Sequence, residues 1–307
     1  MSTGLSLEAV PRAGELMLDV TLILQAVVTG LLLGGVYALI SAGFTLVFGV
    51  LKIINFAHGE FLMLGMYATY FLFTGLGLHP YLSILLIFPA LFVFGALVFW
   101  LTIRPAVTAP ELNQLLLTVG ISLFLQNSAL LFFKSDYRTV DIAFAREKIQ
   151  LGSVILSAPH LLAFVVSVVV TLVLYYLLRS TNIGRSMRAS SENRDAAILM
   201  GINVPRVYLM TFGIGIALLG IAGPLLAPIY SVSPDVGGLF ILTVLVVVVL
   251  GGMGNFLGAL AGGLLIGVAE NLGAIFMPGS MGPVVSFAVL ILVTLLKPEG
   301  ILGGTRL

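Results

Sequence analysis

Five long stretches of this sequence contain no Asp, Glu, Lys or Arg: Phe61 to Ile103, Ile149 to Leu178, Val207 to Pro234, Val236 to Ala269 and Asn271 to Leu296. A helix crossing the hydrocarbon core of a bilayer needs about 20 such residues. Lipid offers the backbone no hydrogen-bond partners, so each run reads as one or two helices. No sustained alternation of polar and apolar residues occurs, which excludes membrane-spanning β-strands. A soluble domain would be about a quarter charged. Here charged residues make up 9% of 307, hydrophobic residues 60%, and the mean hydropathy is +1.18. The expected fold is therefore all-α, a polytopic membrane helix bundle of about eight to nine segments. The segments fall near 21–49, 60–76, 81–101, 112–133, 159–178, 207–230, 238–251, 256–276 and 283–296, with some helices partial or broken. The first is longer than a vertical crossing needs, so it is expected to be tilted, or broken and re-entrant.

Residues 1–19 form a polar leader, 20–301 the membrane domain and 302–307 a short tail. The leader lacks the basic start and cleavage site of a signal peptide, and Met17 is an alternative start. A net charge of +1 implies no nucleic-acid partner, and the absence of cysteine excludes disulfides and thiolate metal sites. Orientation follows the Lys/Arg bias. If the segment 179–206 is cytoplasmic, nine basic residues lie inside and four (Lys134, Arg138, Arg146, Lys148) outside, with Arg12 left uncounted.

Small residues recur every four positions at Gly30, Gly34, Ala38 and Ala42, and again at Gly254, Gly258 and Gly262. Such stripes let helices approach closely in lipid and predict tight packing. Three polar groups stand out against this background. Asn55, His58 and Glu60 lie between the first two segments. They read either as a helix start or re-entrant turn, with Asn55 capping and Glu60 facing the helix dipole, or as a charged hinge or gate lining the path. Glu270 and Asn271 lie late in a glycine-striped segment and read either as pathway or gate residues or as residues near an interface that are simply solvated. A carboxylate there is costly unless it faces the bundle interior or water, and Gln126 or Asn127 is the expected partner. Gln126 and Asn127 themselves read as bridges between helices. Two ligands are too few for a metal site at His58 and Glu60. Trp100 reads as an interfacial anchor.

The longest polar interruption is "RSTNIGRSMRASSENRDAAILMGINVPR", Arg179 to Arg206. Ser190 or Ser191 is placed to cap a short helix of about ten residues, with Glu192 and Asp195 in its first turn and Gly201 as its stop. Its middle is small and apolar, which suits burial in a partner as well as rest on lipid headgroups.

The stretches "NFAHGEFLMLGMYATY", "ENRDAAILMGINVPRVYLMTFGIGIALLGIAGPLLAP" and "VVVVLGGMGNFLGALAGGLLIGVAE" resemble the permease subunits of branched-chain amino-acid ABC importers. The resemblance runs from about residue 20 to residue 301 and is closest to the H-type subunit of the leucine/isoleucine/valine system. It implies a non-catalytic, multi-pass permease of the bacterial inner membrane. It also implies a second related permease, two cytoplasmic ATP-binding subunits and a periplasmic or lipid-anchored substrate-binding protein as partners. The loop containing Glu192, Asn193, Asp195, Ala196, Ala197, Gly201 and Ile202 corresponds to that family's coupling helix, which docks on an ATPase. No phosphate-binding GxxxxGK[ST] loop is present, so ATP chemistry falls to the partners and no cofactor is expected here. Related importers hold substrate weakly in the permease, so no strong amino-acid site is expected. The alternatives are a urea or short-amide importer, an ion-coupled secondary transporter with broken helices in two halves, and a membrane scaffold.

Overall fold

The computed structural model describes residues 13–276 and 282–303. Helix α1 runs unbroken from Ala13 to Leu51, then α2 (His58–Leu76) and α3 (Ile84–Val98). A π-helical stretch over Phe99–Ile103, carrying the exposed Trp100, joins α3 to α4 (Arg104–Ala106). Then come α5 (Glu111–Phe133), a hairpin of β1 (Lys148–Leu151) and β2 (Val154–Ser157), and α6 (Ala158–Ser180). Two short helices come next, α7 (Asn182–Glu192) and α8 (Arg194–Leu199). The chain returns through α9 (Val204–Ala217) and α10 (Leu219–Leu226), then α11 (Val236–Gly251), α12 (Phe256–Phe276) and α13 (Gly282–Leu296). Among the described residues, six stretches are long and apolar enough to cross a bilayer. Helices α2, α11 and α13 complete the bundle, the last two being the short ones anticipated from sequence.

Helix α1 is neither broken nor re-entrant, and it begins inside the stretch that composition marks as a leader. The turn back comes just after it. Lys52 takes a left-handed conformation (φ 61°), uncommon for a residue with a Cβ, and its N–H closes the helix on the Phe48 carbonyl at 2.9 Å. Ile53, Asn55 and Ala57 are then buried. The His58 ring bonds the Ile40 carbonyl at 3.0 Å. Ile40 lies about 16 Å back from the end of α1. The segment 52–57 therefore climbs back into the bundle, and α2 starts inside it.

A second connection does the same from the opposite face. After α10, Val232 pairs with Arg138 of the loop between α5 and β1, and Val232, Ser233 and Pro234 are buried before α11 begins. The first turns of α2 and α11 then meet through glycine. A Cβ on Gly237 would sit 2.8 Å from the Gly59 backbone, and one on Gly59 would strike the Gly237 carbonyl. Gly43 of α1 and Gly215 of α9 are likewise reciprocal: a Cβ on either would come within 3 Å of the other's carbonyl oxygen. A Cβ on Gly223 of α10 would fall 2.8 Å from the Gly65 backbone of α2. Leu46 and Val50 near the end of α1 and Leu178 at the end of α6 line a cavity with Met187 of α7, and α9 sets out from the same side after α7 and α8, so α1 and α9 run in opposite directions. The α1–α12 seam is matched by α3 against α9 and α10, and α2–α10 by α11–α1. The bundle is thus two inverted halves, α1–α5 and α9–α13, joined through α6–α8. Reciprocal self-contacts are what a two-fold relation imposes.

The glycine stripes sit at these seams. Cβ atoms on Gly30 and Gly34 would fall 2.6 Å and 2.7 Å from the carbonyls of Gly267 and Gly263. Gly258 and Gly262 turn the other way, against Gly251 and Val247 of α11. Gly254, expected in that stripe, is instead a turn residue ahead of α12 with φ +87°. Outside, the hairpin is pinned to α1. The Gln25 amide donates to the Ile155 carbonyl at 2.7 Å, and its oxygen accepts from the Ile155 N–H at 2.9 Å.

Candidate functional site

The buried polar residues form two groups, and a third site lies outside the bundle. In the first group Asn55 is buried, and its side-chain oxygen accepts from the Ala57 N–H at 3.2 Å, an Asx turn that leads the re-entrant chain into α2. His58 sits in a cage of Ile40, Gly43 and the Phe44 ring, 5.6 Å away edge-on. Bonding to a carbonyl makes Nε2 the protonated nitrogen, and Nδ1 has no partner among the described residues. Glu60, in the first turn of α2 and 3% exposed, is the centre of the group. Its Oε1 accepts from the Ser122 hydroxyl at 3.3 Å, and its Oε2 has no partner among the described residues. One turn further along α5, the Gln126 amide donates to Asp235 Oδ1 at 3.2 Å. Asp235 precedes the first turn of α11. Residues four apart share a helix face, so α5 holds both carboxylates beside the point where α2 and α11 meet.

The second group centres on Glu270. Its expected amide partners are not the observed ones. The Tyr37 hydroxyl donates to Oε2 at 2.8 Å, and Ser286 and Thr243 donate to Oε1 at 2.9 Å and 3.4 Å. These donors come from α1, α13 and α11, so the carboxylate ties three helices to α12. Asn271 is not part of this: its amide returns to the Gly267 carbonyl of its own helix at 3.0 Å. Asn127 likewise bonds the Leu123 carbonyl of α5 and bridges nothing, whereas Gln126 does bridge. No group of three or more His, Asp or Glu side chains converges among the described residues.

The third site is the polar interruption at 179–206. It is two helices rather than one of about ten residues. Thr181 caps α7 by accepting from the Gly184 N–H at 3.2 Å, and Arg188 donates to the Leu178 carbonyl at the end of α6. That arginine satisfies an orphan carbonyl and faces the negative end of the α6 dipole. Ser190 is buried within α7, and neither Ser190 nor Ser191 caps the next helix. The cap of α8 is Asn193, whose side chain accepts from the Ala196 N–H at 2.9 Å. Glu192 closes α7, so only Asp195 lies in the first turn of α8. Gly201 stops the helix as expected, with φ +81°, and Asn203 then caps α9, accepting from the Arg206 N–H at 3.1 Å. Ala197 points inward at 3% exposure, while Leu199 and Met200 are 87% and 82% exposed. Ala189, Glu192, Asn193, Ala196, Met200 and Ile202 line a shallow cleft of about 320 Å³ around Ala197.

An apolar bundle of inverted halves, a polar cluster where two helices start inside it, and a capped helix projecting between two crossings define a multi-pass membrane permease. The family model described as branched-chain amino acid transport system / permease component matches residues 26–294, and the chain belongs to that family. It is 36% identical to the high-affinity branched-chain amino acid transport system permease protein BraD of Pseudomonas aeruginosa, over 91% of this chain and 95% of the relative. It is 35% identical to the corresponding permease LivH of Escherichia coli K12, with the same coverage. No solved structure matches the chain. As a permease component the chain is not a catalyst, and ATP is hydrolysed by partner ATPase subunits.

Sequence reasoning missed Asp235 and Ser122 as companions of Glu60. One signal was present: Asp235 is the sole charged residue between Arg206 and Glu270.

Proposed function

We propose that the chain is one of two permeases of an importer that carries branched-chain amino acids into the cytoplasm. Two ATP-binding subunits dock beneath the pair, and a substrate-binding protein delivers cargo from outside. Within this chain α8 is the element that engages an ATPase. The observation carrying that reading is the exposure of Leu199 and Met200 on a helix capped at both ends and lying outside the apolar bundle. Water offers such side chains nothing, whereas a groove on a partner buries them. Their anchor, Ala197, seats α8 on its own protein, so a motion of the ATPase is passed to α9 through Gly201–Asn203. The mixed-charge loop 134–147 and the adjoining hairpin supply the surface for the binding protein. Asn55, His58 and Glu60 line the gate, and Glu270 with its three hydroxyls holds α12 in register.

The test is a mild-detergent pull-down of tagged protein from its native membrane, with co-purifying subunits identified and ATPase activity assayed. Wild type should retain an ATP-binding subunit, and Leu199→Asp combined with Met200→Asp should lose it while the permease stays inserted. Retention by the double variant would remove α8 from the interface. A wild-type chain that purifies alone and does not respond to ATP would overturn the importer assembly.

A further inference from the structure

Two helix N-termini, α2 and α11, meet head to head inside the bundle at Gly59 and Gly237. Each carries about half a positive charge, so together they present about one. Two carboxylates are supplied there, Glu60 and Asp235. About one negative charge is left over if both are ionised, since the other two charges that reach Tyr67, Arg138 and Asp136, offset each other. The hydrogen-bond partners observed are neutral: Ser122 on Glu60 Oε1 and Gln126 on Asp235 Oδ1. Glu60 Oε2 is buried, without a donor among the described residues, and aimed at the start of α11, where a Cβ on Gly237 would lie 2.6 Å from it. Two turns further along α2, the Tyr67 hydroxyl is also buried and without a partner among the described residues. Leu239 on α11, one turn beyond Asp235, adds exposed apolar surface.

We infer that Glu60, Ser122, Gln126 and Asp235 form a subsite for the ammonium group of the transported amino acid. A primary ammonium has three donors and one positive charge. Glu60 Oε2 and the free lone pairs of Asp235 accept from it, and its charge cancels the excess. The site is transient by construction: half of the acid charge is already balanced by helix ends, so the cation is held weakly enough to leave. The inference rests on the amino-acid reading of the cargo.

The absence of cysteine from the chain makes the test direct. Val119 lies one turn before Ser122 on the same face of α5. With Val119→Cys as the only thiol in the permease, the assembled importer is labelled in membranes with methanethiosulfonates of similar size, one carrying trimethylammonium and one sulfonate. After division by the rate ratio of the two reagents with a free thiol in solution, the cationic reagent should still react about tenfold faster or more. Asp235→Asn should reduce that preference at least threefold, and leucine with ATP and the loaded binding protein should slow the cationic reaction. Equal rates, a preference untouched by Asp235→Asn, or no labelling from either aqueous side would overturn the subsite and leave Glu60 and Asp235 as neutralisers of helix ends. Leucine uptake by the same importer is measured in parallel. Charge preference without leucine uptake would reject the cargo reading and keep a cation site; uptake without charge preference would do the reverse.

Discussion

Glu60 and Glu270 are both acids inside an apolar bundle, and their surroundings separate their roles. Glu270 accepts from three hydroxyls on three other helices, which is how a buried carboxylate serves as a joint. Tyr37→Phe removes the shortest of these bonds. The expected cost is about 1–2 kcal/mol of stability, read as a lower melting midpoint in detergent, with uptake per folded molecule unchanged. A large fall in uptake at normal stability would instead make Glu270 part of the pathway. Glu60 has one weak donor and one bare oxygen. Glu60→Gln keeps the shape and removes the charge. It should cut leucine uptake about tenfold or more while the protein still assembles with its ATPase. Unchanged uptake would show that shape alone matters at that position.

At the scale of elements, the seams between helices are backbone against backbone. A methyl group added at Gly34 would lie 2.7 Å from the Gly263 carbonyl, and backbone cannot swing aside. Gly34→Ala should destabilise by about 1–3 kcal/mol. Gly120 lies within α5 with nothing within 4 Å of an added Cβ, and Gly120→Ala should stabilise by about 0.5–1 kcal/mol through helix propensity. Thermal unfolding of the two variants side by side checks the sign of each. The helices themselves are legible because apolar length alone specifies a crossing. The connections between them are not. "KIINFA" contains one charge and one amide and leaves a helix start, a re-entrant turn and a gate all open, and the burial of Ile53, Asn55 and Ala57 decides for the re-entrant turn. The hairpin 148–157 is hidden because its strands are four residues each and merge in sequence with the loop and the following helix. Sequence places the cap of α8 two or three residues early, since Ser190, Ser191 and Asn193 are all good caps and only packing of Ser190 into the bundle decides among them.

The whole molecule is organised by inversion, and that order is nearly invisible in the residues. Gly59 meets Gly237 and Gly43 meets Gly215, but the sequences around them share only small size. The polar cluster is half legible for the same reason: Gln126 and Asp235 are 109 residues apart, and only the fold brings them together. Paired broken helices in two halves are the mark expected of a secondary transporter. Here two helices start inside the bundle of a chain that belongs to an importer permease family, so helices that begin at membrane depth do not by themselves report the energy source. Inversion also fixes the sides. Ile54 borders a cleft of about 530 Å³ with Lys52 and Glu111, whereas Ser231 is exposed just before the strand pair with the outer loop. As single cysteines, Ile54→Cys should react with an impermeant thiol reagent from the cytoplasmic side and Ser231→Cys from the outer side. Reaction of both from one side would refute the opposed entry of the two connections.

Helix α1 carries a mechanical consequence. It has no proline and no break from Ala13 to Leu51. Near one end Gln25 grips the hairpin, and at the other Leu46 and Val50 line a cavity with Met187 and Arg188 of α7. The distance from Gln25 to Val50 is about 38 Å along a single hydrogen-bonded column. A tilt of about 5° imposed at the outer end moves the inner end by about 3 Å, more than half a helical turn. Because α1 meets α9 and α12 backbone against backbone, such a tilt carries those helices with it, and a displacement at the hairpin end reaches α7 as the stroke of a packed block rather than of one rod.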